Sequence, residues 1–448
     1  MPAGRIGPRP LLEKDLNYLK WAVALLVAAF PALSLVLHNA ANACLYLLLI
    51  CSLVAGICRF KPMGIAFPQL LKTYWPLHLA MAAWCIAVLL NQFSTGDFAG
   101  KHYDRALRLA LFAPLLWIML LLPFRFLKTV EWTAVAGVFA AAIKAYLLTS
   151  GGSERPTNIG FLSAIAYSDI ALLLGTIAAL SLWWDERRTM PSTILKVTAF
   201  FAGIYTTMLT GVRGSWLAIP LVLIIMFFFE TKIGLRRKLL IAATCAALVG
   251  VAFSMSTVAQ QRVRDAVSDV RQYQSGANPD TSIGMRLQMW HAAWLLFQEH
   301  PVFGAGRENY SPGVQRLAAQ GVISPAAAHF AHSHNELLFN LAIGGIFGLL
   351  AILGIYCIPA YYFYREMRHS DPRVHTAAAM GISVCLCYFV FGLTDLMFFW
   401  TAIGAFYTMS IALFLACIIR CKEEIRAVAA RPGPAQPSSR HKKTMKLS

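Results

Sequence analysis

Three histidines within six residues have the clearest potential for chemistry in this sequence. The segment AHSHNELL carries His332 and His334 and follows His329. A neutral imidazole accepts a hydroxyl proton well near its working pH, so one ring could act as a general base. Asn335 and Glu336 could orient that ring by hydrogen bonding, although Glu336 could instead favour a helix N-terminus.

Two other interpretations of the histidines remain open. The three rings and Glu336 could supply zinc ligands. However, HxH spacing before a helix predicts that the two rings point to different faces, and HExxH-type spacing is absent. A histidine could also only cap a helix. We therefore predict no metal ion and no other cofactor, and regard His329 as structural.

Three arginines are candidates for binding an anion. Arg213 lies in the tight turn TGVRGSW, and Arg286 and Arg307 follow in a long hydrophilic segment. Arginine stays charged and presents a planar fork of donors that suits phosphate oxygens. We expect a diphosphate-linked lipid, whose tail would lie between membrane helices. The alternatives are a snorkelling arginine that anchors a helix end and ordinary salt bridges.

Composition indicates the elements that must position these residues. Of the 448 residues, 58% are hydrophobic and 13% are charged, and the mean hydropathy is +0.60. A helix needs about 20 apolar residues to cross a membrane. The sequence predicts an all-α polytopic membrane protein with about twelve spans: 17–37, 40–58, 72–92, 105–122, 128–149, 159–184, 193–212, 214–230, 238–257, 335–363, 375–396 and 399–420.

The distribution of positive charge predicts the orientation. Most of the 39 Lys and Arg residues fall on one side if the N-terminus is cytoplasmic, so we expect both termini inside. The net charge of +18 is mostly this topology signal and gives no indication of nucleic acid as a partner. The ten cysteines all lie in spans or at their ends, which excludes disulfides and a cysteine metal site from the long loop.

The chain divides into four predicted regions. Residues 1–257 form spans one to nine, 258–334 a helical outer loop, 335–420 spans ten to twelve, and 421–448 a basic, disordered cytoplasmic tail. Within the loop, Thr281 or Ser282 can cap a helix that His300-Pro301 ends. Gly344-Gly345 and Gly348 lie inside span ten, where we expect small residues to allow close helix packing.

Several of these motifs together resemble the O-antigen ligase family of Gram-negative inner membranes. They are the TGVRGSW turn after the seventh span, the loop sequence GMRLQMWHAAWLLFQEHPVFGAGRENY, and HSHNELLFNLAIGGIFGLL at span ten. The motifs cover residues 150–420, and the topology covers the whole chain. The first 150 residues carry no motif that matches. The superfamily also contains O-antigen polymerases and some ligases that glycosylate proteins.

The resemblance implies transfer of a glycan from undecaprenyl diphosphate to the lipid A-core oligosaccharide on the periplasmic face. Such enzymes use neither ATP nor a metal ion and invert the anomeric centre. Carried onto this chain, the resemblance makes Arg213 and Arg286 the diphosphate ligands that stabilise the leaving group, and His334 the base. We predict that Arg307 joins the diphosphate site and that His332 is a neighbour or alternative base.

Two other functions compete with ligation. A polymerase of the same superfamily would share the donor chemistry. A transporter of a polyprenyl-linked sugar would be expected to show charges inside its spans and an internal repeat. The predicted spans carry few charges, mainly Asp169, Asp395 and Lys144, and we find no repeat. We therefore expect an inner-membrane ligase with membrane lipids around it and its active site facing the periplasm.

Overall fold

Helices dominate the computed structural model, which describes residues 13–185, 187–229, 257–430 and isolated residues between 234 and 254. The helices up to residue 229 are α1 (Glu13–Leu33), α2 (Ala40–Ile57), α3 (Phe67–Thr73), α4 (Trp75–Thr95), α5 (Tyr103–Ala110), α6 (Phe112–Met119), α7 (Phe124–Leu127), α8 (Val130–Leu148), α9 (Ala164–Leu180), α10 (Met190–Leu209), α11 (Arg213–Trp216) and α12 (Ala218–Phe229). Those that follow are α13 (Thr257–Gln274), α14 (Ser282–Glu299), α15 (Arg307–Ala319), α16 (Pro325–Ala328), α17 (Glu336–Glu366), α18 (Pro372–Gly392) and α19 (Thr401–Ala429).

Short elements connect some of these helices. Two antiparallel strands, β1 (Asn158–Ile159) and β2 (Leu162–Ser163), precede α9, with Asn158 paired to Ser163. The described 3-10 turns are Pro62–Gly64, Gly100–His102, Ser150–Gly152, Ser181–Trp184 and Met397–Phe399.

Within the described residues, nine helices are long and apolar enough to cross a membrane. They are Lys14–Leu33, Ala40–Ile57, Trp75–Thr95, Phe124–Leu148, Ala164–Trp184, Met190–Leu209, Glu336–Glu366, Pro372–Gly392 and Thr401–Ala429. This confirms an all-α polytopic membrane protein. The count of twelve stays a prediction, because the predicted ninth span, 238–257, lies largely outside the described residues.

Two predicted spans differ from the structure in form. The predicted span 105–122 is divided at Leu111 into α5 and α6. Pro114 has no N–H to donate to the carbonyl one turn back, which weakens a continuous helix at this point. The predicted span 214–230 is the short helix α11 followed by α12, and its apolar helical stretch, Arg213–Phe227, is shorter than the nine long helices.

The core of the bundle lies around α9 and α19, whose membrane-length segments are each 89% buried. At the end of the bundle where α9 ends and α10 begins, Lys196 is fully buried. Its Nζ donates to Glu131 Oε2 at 2.9 Å and to both oxygens of Asp185 at 3.0 Å. Removal of Lys196 would leave Asp185 without its cation and Glu131 with only Lys128, whose Nζ lies 3.8 Å from Oε1.

The last helix extends beyond the predicted tail boundary. α19 ends at Ala429, so residues 421–429 are helical rather than part of a disordered tail. Lys422 Nζ contacts Glu366 Oε1 at 2.8 Å, and Arg373 Nη1 contacts Glu424 Oε2 at 2.9 Å. These ion pairs join the last turns of α19 to the end of α17 and to the start of α18. Residues 431–448 of the predicted tail lie outside the described residues.

The long segment after α14 interlocks with a break in α17. Gly345 has φ 60° and ψ −152°, so α17 is not regular there. The backbone N–H of Ala305 donates to Ala342 O at 2.9 Å, and Ile346 N–H donates to Pro301 O at 2.9 Å. A Cβ on Gly304 would overlap the Gly344 backbone. These glycines therefore admit a loop into the helix, where we had expected close helix packing.

Candidate functional site

The histidine segment lies in a tightly fixed turn before α17. Thr281 and His300 bound α14 as predicted, and the chain then passes through α15 and α16. Asn335 caps α17, with its Oδ1 accepting from Leu338 N–H at 3.0 Å, and its Nδ2 donates to Leu393 O at 3.2 Å. His334 has φ 49°, a left-handed conformation that is uncommon for a residue with a side chain. The turn therefore fixes where the His334 ring points.

His334 is paired with a buried carboxylate. Its Nδ1 lies 3.0 Å from Asp395 Oδ1, in the segment between α18 and α19. The His334 side chain is 18% exposed and that of Asp395 is 7% exposed. A carboxylate at Nδ1 favours the tautomer with its proton on that nitrogen, which leaves Nε2 as a proton acceptor. The pair therefore has the arrangement of a general base with an orienting acid.

His332 packs against His334 instead of pointing away from it. The ring centroids are 4.3 Å apart, and His332 Nδ1 accepts the His334 backbone N–H at 3.3 Å. The expectation that HxH spacing separates the rings is wrong, because the left-handed turn at His334 folds them together. Burial, followed by the charge of His334, lowers the pKa of His332 to about 4. His332 is therefore neutral at pH 7.

The two rings and Asp395 are close enough to hold a metal ion. The candidate ligand atoms of His332, His334 and Asp395 all lie within 4.8 Å of one another. Two imidazoles and a carboxylate are acceptable zinc or iron ligands. The spacing argument against zinc therefore fails, and the prediction of a metal-free site needs a direct test.

Arg213 and Arg286 approach Asp395 from different elements. Arg213 begins α11, and Gly214 packs against Thr394, next to Asp395. Arg213 Nη2 lies 3.8 Å from Asp265 Oδ2, a loose ion pair. Burial lowers the pKa of Arg286 on α14; the Asp395 charge acts to raise it and the Arg213 charge to lower it. The structure thus brings both arginines and the His334–Asp395 pair into one charged neighbourhood.

A buried hydrogen bond supports the Arg213 turn. Ser215 Oγ donates to Asp169 Oδ1 at 2.5 Å, and both side chains are fully buried. Ser168 and Thr210 share a hydrogen bond of 2.6 Å beside it. Asp169, one of the few acidic residues in the predicted spans, therefore holds Ser215 in the turn that carries Arg213.

The remaining predicted residues have other contacts. Arg307 Nη1 donates to Ala331 O at 3.2 Å, which places it beside the histidine turn. Glu336 is buried; its Oε2 accepts from Phe398 N–H at 3.1 Å, and its Oε1 accepts from Asn340. Asn335 and Glu336 therefore stabilise the start of α17 and the 397–399 turn, and neither bonds to the His334 ring. His329 is exposed at the end of α16.

Two residues that lie in the site, Asp395 and Arg105, were not identified from the sequence. Asp395 was noted only as a charge near the end of a span, although an acid in the apolar run GLTDLMFFW is itself a signal for function. Arg105 lies over the Phe399 ring, with Cζ 4.1 Å from its centroid, and that ring is 5.2 Å from His332. The sequence placed Arg105 at the start of a span, without a partner.

Comparisons with known proteins match the part of the chain that carries most of the predicted site residues. A family described as O-antigen ligase matches residues 198–353, which include both arginines and His334. An O-antigen ligase of Escherichia coli K12 is 23% identical over 261 residues, 58% of this chain and 58% of that protein. An uncharacterised protein of Haemophilus influenzae is 24% identical over 287 residues, 63% of this chain and 71% of that protein.

Proposed function

We propose that this chain, which belongs to the O-antigen ligase family, transfers a glycan from undecaprenyl diphosphate to lipid A-core oligosaccharide. The carrying observation is the part-buried His334–Asp395 pair, 3.0 Å apart, with the Arg213 turn packed next to Asp395 and with Arg286 under the influence of the Asp395 charge. It combines a proton acceptor with two cations suited to a diphosphate leaving group. Ligation and polymerisation share this donor chemistry, so the site residues alone do not separate the two reactions. The name of the E. coli relative favours ligation.

The reaction is one displacement. The oxygen of an acceptor hydroxyl attacks the anomeric carbon, and the bond from that carbon to the diphosphate oxygen breaks. His334 Nε2 takes the hydroxyl proton, and Asp395 stabilises the resulting imidazolium. Arg213 and Arg286 balance the negative charge that develops on the departing diphosphate. Attack from the face opposite the leaving group inverts the anomeric centre.

Asp395 acts in this scheme as a positioning residue for the His334 ring. Asn335 and Glu336 hold the helix and turn on which those two residues lie. His332 remains the alternative base, although its Nδ1 already accepts the His334 N–H. The scheme places the site at the periplasmic face of a bacterial inner membrane, with both termini cytoplasmic.

Reconstitution tests the proposal. Purified protein is mixed with undecaprenyl diphosphate-linked glycan and lipid A-core, with and without EDTA. We expect glycan on the core in both samples and none with His334→Ala or Arg286→Ala proteins of normal thermal stability. Elongation on the lipid carrier would indicate a polymerase instead. Loss of transfer in EDTA would assign His332, His334 and Asp395 to a metal ion.

A further inference from the structure

Two further arginines lie next to His332. Arg105 Cζ is 4.1 Å from the centroid of the Phe399 ring, and the same ring is 5.2 Å from the ring of His332. Arg307 Cζ is 5.1 Å from the centroid of the Phe339 ring, and Arg307 donates to the carbonyl of Ala331, the residue before His332. Both guanidinium groups are therefore held on aromatic rings beside the histidine turn.

The carboxylates near these arginines are engaged with other groups. Asp104 Oδ1 pairs with Arg108 at 2.8 Å, and Glu308 Oε1 pairs with Lys101 at 2.9 Å. In the described parts of the chain, neither Arg105 nor Arg307 has a carboxylate oxygen within 4.0 Å. These two partly buried cations beside the histidine turn thus have no carboxylate in direct contact, which favours binding of an anion.

This arginine pair has different neighbours from Arg213 and Arg286. Arg105 and His332 both pack against the Phe399 ring, and Arg307 donates to the carbonyl of Ala331. The charged neighbours that affect Arg286 are instead Asp395 and Arg213. Arg213 and Arg286 therefore lie on the Asp395 side of the His334–Asp395 pair, and Arg105 and Arg307 lie on the His332 side.

A cleft lined by both apolar and polar residues begins at Arg307. Its atom-free space, about 510 Å³ including the part open to solvent, lies between α4, the start of α15 and α17. Its lining includes the amides of Asn91, Gln92 and Asn309 and the carboxyl groups of Asp97 and Glu308. Asn340 also lines it, is 1% exposed, and has a buried Oδ1 with no hydrogen-bond partner. Side-chain amides beside an anion site suit a ligand that carries both hydroxyl and acidic groups.

We propose that Arg105 and Arg307 form a second anion site, which binds a phosphate or carboxylate group of the acceptor oligosaccharide. The proposal rests on the proposed function, because it assumes that two substrates meet at His334. The donor diphosphate occupies Arg213 and Arg286, so the acceptor reaches the base from the His332 side. Arg307 then serves the acceptor and not the diphosphate for which the sequence predicted it.

Steady-state kinetics separate the two substrates. Arg105→Gln and Arg307→Gln are measured with varied acceptor at saturating donor and then with varied donor. A charge-assisted hydrogen bond is worth about 10- to 100-fold in affinity, so we expect the acceptor KM to rise by that factor and the donor KM to stay unchanged. Arg105→Lys, which retains the charge, should lie in between.

The matched control is Arg316→Gln, on the same helix as Arg307. Arg316 is half exposed and paired with Glu299, so its replacement should leave both KM values unchanged. An acceptor from which phosphate and carboxylate groups have been removed should bind wild-type and variant proteins alike. A raised donor KM in Arg307→Gln, or no change in either KM, would overturn the proposal.

Equilibrium binding separates this proposal from the transferase assignment. Acceptor is titrated into His334→Ala protein without donor, with Arg105 and Arg307 intact or replaced. Weaker binding only of the anionic acceptor supports the second site even if no transfer is ever detected. Equal binding of the anionic and neutral acceptors would refute the site even if wild-type protein is an active ligase.

Discussion

Replacement of Asp395 by asparagine removes the charge beside His334 and keeps the shape of the side chain. The two groups lie 3.0 Å apart and are 7% and 18% exposed. At an effective dielectric constant of about 20, a carboxylate and an imidazolium about 3 Å apart attract each other by roughly 5 kcal/mol. Solvent at the ring and the amide's own hydrogen bond reduce the difference between Asp and Asn to about 3 kcal/mol.

The His334 imidazolium forms only when the acceptor hydroxyl gives up its proton. The lost stabilisation therefore raises the barrier of the chemical step and does not weaken substrate binding. We expect kcat to fall about 100-fold in Asp395→Asn, with no rise in the donor KM. Single-turnover transfer by purified protein measures the step, and thermal unfolding verifies the fold. Asp280→Asn, which changes an exposed carboxyl in the turn before α14, is the control and should retain wild-type rates. A kcat within about threefold of wild type would refute the role of Asp395.

Three further outcomes follow from the contacts. Arg213→Lys keeps the charge but loses the planar fork, so kcat/KM for the donor should fall roughly tenfold in initial-rate assays, without a change in acceptor KM. Gly345→Ala places a Cβ against the Val302 carbonyl at φ 60° and should lower the unfolding free energy by about 2 kcal/mol or more, measured by chemical denaturation in detergent. Lys196→Ala leaves the mostly buried Asp185 without its cation and Glu131 with only the more distant Lys128. This should lower the unfolding free energy by about 3–5 kcal/mol, while Arg316→Ala should change it little.

Local sequence patterns predicted the features that are determined by residues close together in the chain. Apolar runs of membrane length predicted the long helices, and Thr281 and His300-Pro301 predicted both ends of α14. The His334–Asp395 pair joins residues 61 positions apart, and no local pattern determines such a contact. The relation between the two histidine rings depends on the positive φ of His334, which the spacing alone did not indicate.

The same limit applies to the arginines and glycines. Arg105 has the sequence context of a span end, and its neighbour Phe399 is almost 300 residues away. Gly344-Gly345 has the composition of a close-packing motif, and only the position of the 301–306 loop distinguishes a break from a packed helix. The sequence could thus predict which residue types were available for chemistry, but their grouping depends on tertiary contacts.

The interlock between the 301–306 loop and α17 sets the natural unit for chimeric proteins. Ala305 N–H donates to Ala342 O and Ile346 N–H donates to Pro301 O across this junction, and Gly304 and Gly345 leave no room for larger side chains. A graft that takes only residues 258–334 from a relative would combine a foreign loop with a native helix break. Exchanges intended to change acceptor choice should therefore carry residues 301–346 as one block.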